Sequence, residues 1–270
     1  MSLAIENLSA GYGESLVLQD VTLRVDEGGI CAVMGRNGSG KTTLLRCVNA
    51  ILKPARGTVS AFGRDVARLS RVEIARLISL VPQSHSTAFA FSCVEMILMG
   101  GAGRIQPWSA PSRKDVAGAM EVLCEVGVED LAPRPFNQLS GGERQLVMLS
   151  RALFQNAPIM LLDEPNAHLD FSNQHRMMEM MRAVVKRRGA TALISLHDPN
   201  LTLHYCDRTV MLKKGRVVAQ GPTGAVMEES ILRDVLGDNI QTDVTVGGLP
   251  VVTSRALHAA GHGQKTAAGR

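Results

Sequence analysis

Apolar and polar positions alternate early in the chain: Val21, Leu23 and Val25 take turns with polar neighbours, the period of a strand with one buried face. Ile30-Cys31-Ala32-Val33-Met34 is apolar without a break, as in a parallel strand covered on both sides. After a glycine-rich turn, Leu44, Leu45, Val48 and Ile51 fall at helical spacing, and Pro54 lies beyond the helix end. Residues 58–62 and 78–81 are the next strand candidates. From about 92 to 155 the pattern is helical. Val116, Ala119, Met120 and Leu123 share one face there, Gly127 is the stop, and 100–112 is a looser stretch rich in Gly, Pro and Ser.

Strands return at 159–162, 191–195, 209–212 and 217–220. The last two flank Lys213-Lys214-Gly215-Arg216, a hairpin signal. A helix is predicted over 173–188, ended by Lys186, Arg187 and Arg188 against the helix dipole and by Gly189. Another is predicted over about 224–236. The segment after 254, rich in Ala, Gly, His and basic residues, is predicted disordered. Strands alternate with helices, a helical block interrupts, and strands resume, which argues an α/β core with an inserted helical subdomain.

Composition narrows the function. At 270 residues, 45% of them hydrophobic, the chain can bury a substantial core. It has no run of about 18 apolar residues, so no membrane-spanning helix is expected. The opening ten residues lack the basic start and apolar stretch of a signal peptide, and a cytosolic chain is expected. Cys31, Cys47, Cys93, Cys124 and Cys206 are scattered without a C-x-x-C pair, which reads as free thiols and fits no zinc spacing. The net charge of +4 is spread rather than clustered, and aromatics are only 3%, so no basic, aromatic-laced surface for nucleic acid is expected.

The sharpest chemical signal is Gly35-Arg36-Asn37-Gly38-Ser39-Gly40-Lys41-Thr42, which matches the Walker A pattern G-x-x-x-x-G-K-[ST] between an apolar strand and a helix. Glycines let backbone N–H groups turn inward around phosphate oxygens, and the helix N-terminus adds a favourable dipole. Lys41 supplies a cation for the β- and γ-phosphates, and the Thr42 hydroxyl a ligand for Mg²⁺. Ile159-Met160-Leu161-Leu162-Asp163-Glu164 delivers two carboxylates at a strand end, where open α/β sheets bind ligands. Asp163 is the expected Mg²⁺ partner through water, and Glu164 the group that orients the attacking water.

Leu139-Ser140-Gly141-Gly142-Glu143, followed by Arg144-Gln145, resembles the signature motif of ABC (ATP-binding cassette) ATPases. Locally, Ser140 and Glu143 also make a capping-box spacing before an apolar helical run. The resemblance covers about residues 3–225. It implies a P-loop NTPase fold: a RecA-like parallel sheet with an antiparallel β subdomain, plus the helical insertion. The implied ATPase domain spans 1–235, with a core of about 1–90 and 157–225 and a helical subdomain of about 91–156; 236–270 would be a C-terminal extension. It assigns ATP contacts to Tyr12 (stacking on adenine), Gly35, Asn37, Gly38, Ser39, Gly40, Lys41, Thr42 and Thr43, and in trans to Ser140, Gly141 and Gly142. Gln83 matches a glutamine that senses Mg²⁺ and the permease. Ala167-His168-Leu169-Asp170 is similar to the D-loop, with Asp170 its acid. His197 matches the switch histidine on the γ-phosphate. The family pattern of Thr-Ser or Ser-Ser after Glu-Pro is here Asn166-Ala167, which puts hydrogen bonding of that loop between subunits in question.

The segment 89–100, Arg134 to Ser140, and Asn173-Gln174 are similar to importers of iron–siderophore, haem, cobalamin or molybdate. This implies a head-to-tail dimer at the cytoplasmic face of the inner membrane. Its implied partners are integral-membrane permease subunits and, indirectly, an extracytoplasmic substrate-binding protein, without nucleic acid. The alternative is a soluble ABC ATPase acting on DNA, ribosomes or cluster assembly. Against it, long heptad coiled coils and a second cassette are absent from the sequence. A P-loop kinase is disfavoured by the signature and His197.

Overall fold

The computed structural model describes residues 1–83, 89–104, 110–167 and 169–255. The segment after 254 that the sequence marks as disordered falls almost wholly outside them, as do His168 and part of the loose stretch 100–112.

The N-terminal alternation folds as two long antiparallel strands, β1 (Leu3–Tyr12) and β2 (Ser15–Val25). The apolar run is β3 (Ile30–Met34), and the turn after it feeds α1 (Lys41–Val48). β4 (Arg56–Ala61) and the short β5 (Arg64–Asp65) complete an antiparallel sheet of order β2-β1-β4-β5. Next come α2 (Arg71–Leu77) and β6 (Ile78–Val81). The helical block holds α3 (Cys93–Leu98), α4 (Arg113–Val126) and α5 (Gly141–Gln155). The chain then runs through β7 (Ile159–Asp163), α6 (Phe171–Arg188), β8 (Thr191–Leu196) and α7 (Pro199–Tyr205). It closes with β9 (Arg208–Lys213), β10 (Arg216–Pro222), α8 (Thr223–Val226), α9 (Glu229–Leu236), β11 (Ile240–Val244) and β12 (Pro250–Ser254).

The main sheet has the order β10-β9-β3-β8-β7-β6. β9, β3, β8, β7 and β6 pair in parallel, and β10 adds an antiparallel edge. Strand period two divides the apolar run of β3 between both faces. Ile30, Ala32 and Met34 join one core with the helical block, α6 and α7, while Cys31 and Val33 join a second core with α1 and the antiparallel sheet. An uninterrupted apolar strand is what a sheet covered on both sides requires.

Several boundaries differ from the sequence reading. α1 stops at Val48, and Ile51 is exposed beyond the turn instead of continuing the apolar face. On α4, Val116 is exposed; the buried face is Ala119, Val122, Leu123 and Val126, with Gly127 left-handed as the stop. α6 begins at Phe171, two residues early, because Asp170 caps it. The expected last helix is two, α8 and α9, broken at Met227-Glu228. Beyond α9 lies an unanticipated hairpin, β11–β12, held by Asn200, whose side chain bonds the Val252 N–H and C=O, and by Glu229, which accepts from the Thr242 amide.

Three joints matter for the site. Gln155, at the end of α5, donates its Nε2 to the carbonyls of Ala75 (2.7 Å) and Ile78 (2.8 Å), fixing that helix end to the base of β6. Glu125 of α4 accepts from Arg187 and Arg188 of α6, tying the helical block to the sheet layer. Third, Lys214 and Gly215 both have positive φ (48° and 78°), the two-residue hairpin turn that fits strand twist. The Gly215 amide donates to Ser39 O, and its carbonyl accepts from Gln19 N, so this turn joins the glycine-rich loop to β2.

A Cβ on Gly215 would lie 2.0 Å from the Val17 carbonyl oxygen. Gly215→Ala is therefore expected to cost about 2–4 kcal/mol from left-handed strain plus overpacking. Lys214→Gly, at the other positive-φ position, should cost little or nothing. Denaturant midpoints of the two variants check this; equal midpoints would remove the turn from its structural role.

Candidate nucleotide site

The carboxyl ends of β3, β7 and β8 open on one side of the sheet, and each delivers part of the site. β3 runs into Gly35, β7 into Asp163-Glu164, and β8 into His197. Gly35 has φ 155°, and a Cβ there would lie 2.3 Å from Leu212 O, so only glycine lets the loop leave the sheet at this point. Gly40, the N-cap of α1, offers no side-chain cap. The first-turn amides of α1, Lys41 to Thr43, thus have neither an intrahelical acceptor nor a capping side chain.

A cavity of about 530 Å³ lies over these amides, lined by Val17, Asn37, Gly38, Gly40, Lys41, Thr42, Thr43, Gln83, Glu164 and His197. Ser39 Oγ sits buried in the same loop without a hydrogen-bond partner. Orphaned amides and a lysine around one cavity, with an orphaned hydroxyl in the same loop, are the donor set of an anion site, and they fit a nucleotide's phosphates.

Lys41 is 5% exposed, and its Nζ donates to Gly35 O (3.0 Å) and lies 3.7 Å from Glu164 Oε1. Burial pushes the ammonium below its ordinary pKa, and the Glu164 and Asp163 carboxylates push it back up. Glu164 gathers three donors. Lys41 and His197 Nε2 meet Oε1, and Gln83 Nε2 donates to Oε2 at 2.7 Å. The Asp163 carboxylate, 4% exposed, accepts from Thr42 Oγ1 (3.2 Å) and Ser195 Oγ (2.7 Å) on the same oxygen, Oδ1. The Thr42 hydroxyl and the Asp163 carboxylate are hard oxygen donors, the chemistry that fits Mg²⁺. Among the described residues no group of three or more His, Cys, Asp and Glu could hold a metal, and Mg²⁺ needs none when substrate phosphates supply the remaining oxygens.

Other sequence candidates lie elsewhere. Tyr12, at the end of β1, is exposed outside the cavity lining, and its hydroxyl accepts from Arg46 Nη1 of α1 at 2.9 Å. Ser140 caps α5 in a reciprocal box: its Oγ accepts the Glu143 amide, and Glu143 Oε2 accepts the Ser140 amide. That box holds the Glu143 carboxyl below its ordinary range, and Arg134 adds to the effect. Ser140, Gly141 and Gly142 are absent from the cavity lining. Asp170 is exposed, and its carboxylate caps α6 by accepting from the Asn173 amide and side chain rather than facing the cavity. Asn166 is buried; its carbonyl accepts from Gln174 and from the Leu169 amide, closing the turn after Glu164. Two residues at the site carry no sequence motif. Val17 enters from β2 as an apolar wall, and Ser195 stands beneath the carboxylate pair.

Comparison with known proteins gives a consistent result. A family model described as ABC transporter matches residues 18–167. The chain is 37% identical over 228 residues to the Helicobacter pylori protein named "Probable iron chelatin transport ATP-binding protein", covering 84% of this chain and 89% of that one. It is 37% identical over 257 residues to the "Hemin import ATP-binding protein HmuV" of Streptomyces coelicolor, covering 94% and 90%. Among solved structures, a metal-chelate type ABC transporter in an inward-facing conformation superposes with a TM-score of 0.81 at 28% identity, covering 95% of this chain and 99% of that one. The dimeric post-hydrolysis ATP-binding cassette MJ0796, bound to ADP and Pi, gives 0.74 at 27% identity, covering 82% and 98%. These matches run along nearly the whole described fold, cleft and helical block together. The chain accordingly belongs to the ABC transporter family and is one of its ATPases, coupling ATP hydrolysis to transport.

Proposed function

We propose that the chain is the ATP-hydrolysing subunit of an importer for a metal chelate, most closely of the iron–siderophore kind. In this reading two copies work head to tail beneath permease subunits at the cytoplasmic face of the membrane, fed by an extracytoplasmic binding protein. The observation that carries it is the convergence of Lys41, Gln83 and His197 on the single carboxylate of Glu164 at the mouth of the glycine-rich loop. The names of the relatives, iron chelatin and hemin, support the class of cargo. No helix among the described residues is long and apolar enough to cross a membrane, which fits a subunit that relies on separate spanning partners.

The proposed mechanism follows from charge. ATP phosphates compete with the Gly35 and Arg36 carbonyls for Lys41 and take up the loop amides and Ser39 Oγ. Thr42 and Asp163 would hold Mg²⁺, whose charge offsets that of the phosphates when bound. Glu164 orients the attacking water and accepts its proton, while His197 and Gln83 keep the carboxylate directed at the cavity. Tyr12 stacks on adenine. Ser140, Gly141 and Gly142, remote from their own chain's cavity, close over the nucleotide of the partner copy, with Asp170 at the junction. Residues 1–235 are proposed to form the ATPase domain, with 91–156 as its helical part and 236–270 as an extension.

Two measurements test this. Uptake of radiolabelled iron–siderophore by a deletion strain should fall and return with the wild-type gene but not with Glu164→Gln. The tagged protein should purify from membranes with a polytopic partner. Normal uptake of iron–siderophore, haem and cobalamin alike would overturn the assignment of cargo. Stimulation of turnover by DNA, without a membrane partner, would overturn the transport role.

A further inference from the structure

Ser195 is an oddity of composition. It is fully buried in β8, flanked by Leu193, Ile194 and Leu196, all buried and apolar. A hydroxyl in such a strand costs free energy unless both its donor and its acceptor are used. Both are. Its Oγ lies 2.8 Å from the amide nitrogen of Glu164 and 2.7 Å from Asp163 Oδ1. An amide can only donate, so the serine oxygen accepts there, and its single proton goes to the aspartate.

One side chain thus touches two neighbouring residues that have different tasks. On Asp163, it shares Oδ1 with Thr42 Oγ1, so the carboxylate is held between β8 and the first turn of α1. On Glu164, it holds the backbone. Glu164 has φ 49°, a left-handed conformation that a residue with a side chain keeps only where its surroundings over-determine it. The Ser195 bond to its amide and the Ala167 amide on its carbonyl are the two restraints there. Two residues on, β8 delivers His197 to the Glu164 carboxylate.

We propose that Ser195 is a positioning residue for ATP hydrolysis. Its hydroxyl locks the Asp163 rotamer that faces Thr42 and pins the Glu164 backbone in the conformation that aims its carboxylate into the cavity. This rests on the roles given to Asp163 and Glu164 under the proposed function.

The test compares Ser195→Thr with Ser195→Val. These are isosteric, so both add the same bulk and only the first keeps a hydroxyl. Ser195→Ala removes the oxygen without adding bulk and carries the comparison if the branched pair does not fold. Three quantities are read: Mn²⁺ affinity of the protein–ADP complex by electron paramagnetic resonance, ADP affinity in EDTA, and kcat. Groups that support a metal-binding residue are typically worth about 10- to 100-fold. Ser195→Val and Ser195→Ala should lose Mn²⁺ affinity and kcat by about that factor, with ADP affinity in EDTA unchanged, and Ser195→Thr should recover most of both. Equal Mn²⁺ affinity and kcat in Thr and Val, or wild-type values in Ala, would overturn the inference. Asp163→Asn separates the two levels. If it keeps wild-type Mn²⁺ affinity, the assignment of Asp163 fails. If it loses affinity while Ser195→Ala does not, the role of Ser195 fails.

Discussion

Glu164→Gln is expected to lower ATP turnover by about 10²- to 10⁴-fold, the usual worth of a positioned general base, while leaving ATP binding intact. The change preserves size but leaves one accepting oxygen where the carboxylate offers two. Oε1 now faces Lys41 and His197, and Oε2 faces Gln83. An amide cannot serve all three donors, nor take a proton from water. Removing the negative charge also relieves its repulsion of the incoming phosphates, so affinity should hold or rise. The non-hydrolysing protein should accumulate as an ATP-bound dimer, seen as a doubled mass in size-exclusion chromatography with light scattering. Turnover equal to wild type would sink the role given to Glu164; a monomer at saturating ATP would sink the closing of one copy over another.

Lys41→Ala attacks binding instead. Among the described residues Lys41 is the one lysine or arginine lining the cavity, and losing a charge-assisted hydrogen bond is worth about 1.5–3 kcal/mol, or roughly 10- to 100-fold in affinity. A further effect runs the same way. Asp163 and Glu164 lose the cation between them and the phosphates, so their repulsion goes unopposed. Stability should respond little, because deleting Lys41 also removes a buried, partly desolvated charge. A titration with fluorescent ATP analogue and a melting curve on the same sample check both halves. Normal affinity would mean the loop does not hold phosphates through this residue, and unfolding would mean Lys41 is structural.

The features legible in the sequence were those whose chemistry closes within a few residues. The glycine-rich loop, the Ser140–Glu143 box and the Lys214-Gly215 turn each require particular residue types at fixed short offsets, so the pattern carries the geometry. Long-range features were less visible. Ser195 has no motif, because its partners lie 31 and 32 positions away and meet it only when β7 and β8 pair. Val17 comes to the cavity from the antiparallel sheet. Gln83 was anticipated as a sensor of metal and permease, yet in the fold it donates to Glu164, a contact that spacing alone does not convey. The β11–β12 hairpin lies in what the sequence marks only as a C-terminal extension, and its anchors, Asn200 and Glu229, are remote or sit on another element. Ile51 misled in the opposite sense. Helical periodicity continued by chance across the turn at Asn49-Ala50, where the backbone had already left the helix.

The clamp on Gln155 gives α5 the mechanics of a pivoted rod. Fifteen residues make a shaft about 22 Å long, packed within the helical block, with its foot on the Ala75 and Ile78 carbonyls and Ser140 at the opposite end. A tilt of about 5° sweeps that tip through roughly 2 Å, enough to make or break a hydrogen bond. In the proposed dimer, a rotation about this joint, four residues before Pro82-Gln83, would make or break the contact of Ser140 with the partner copy's nucleotide.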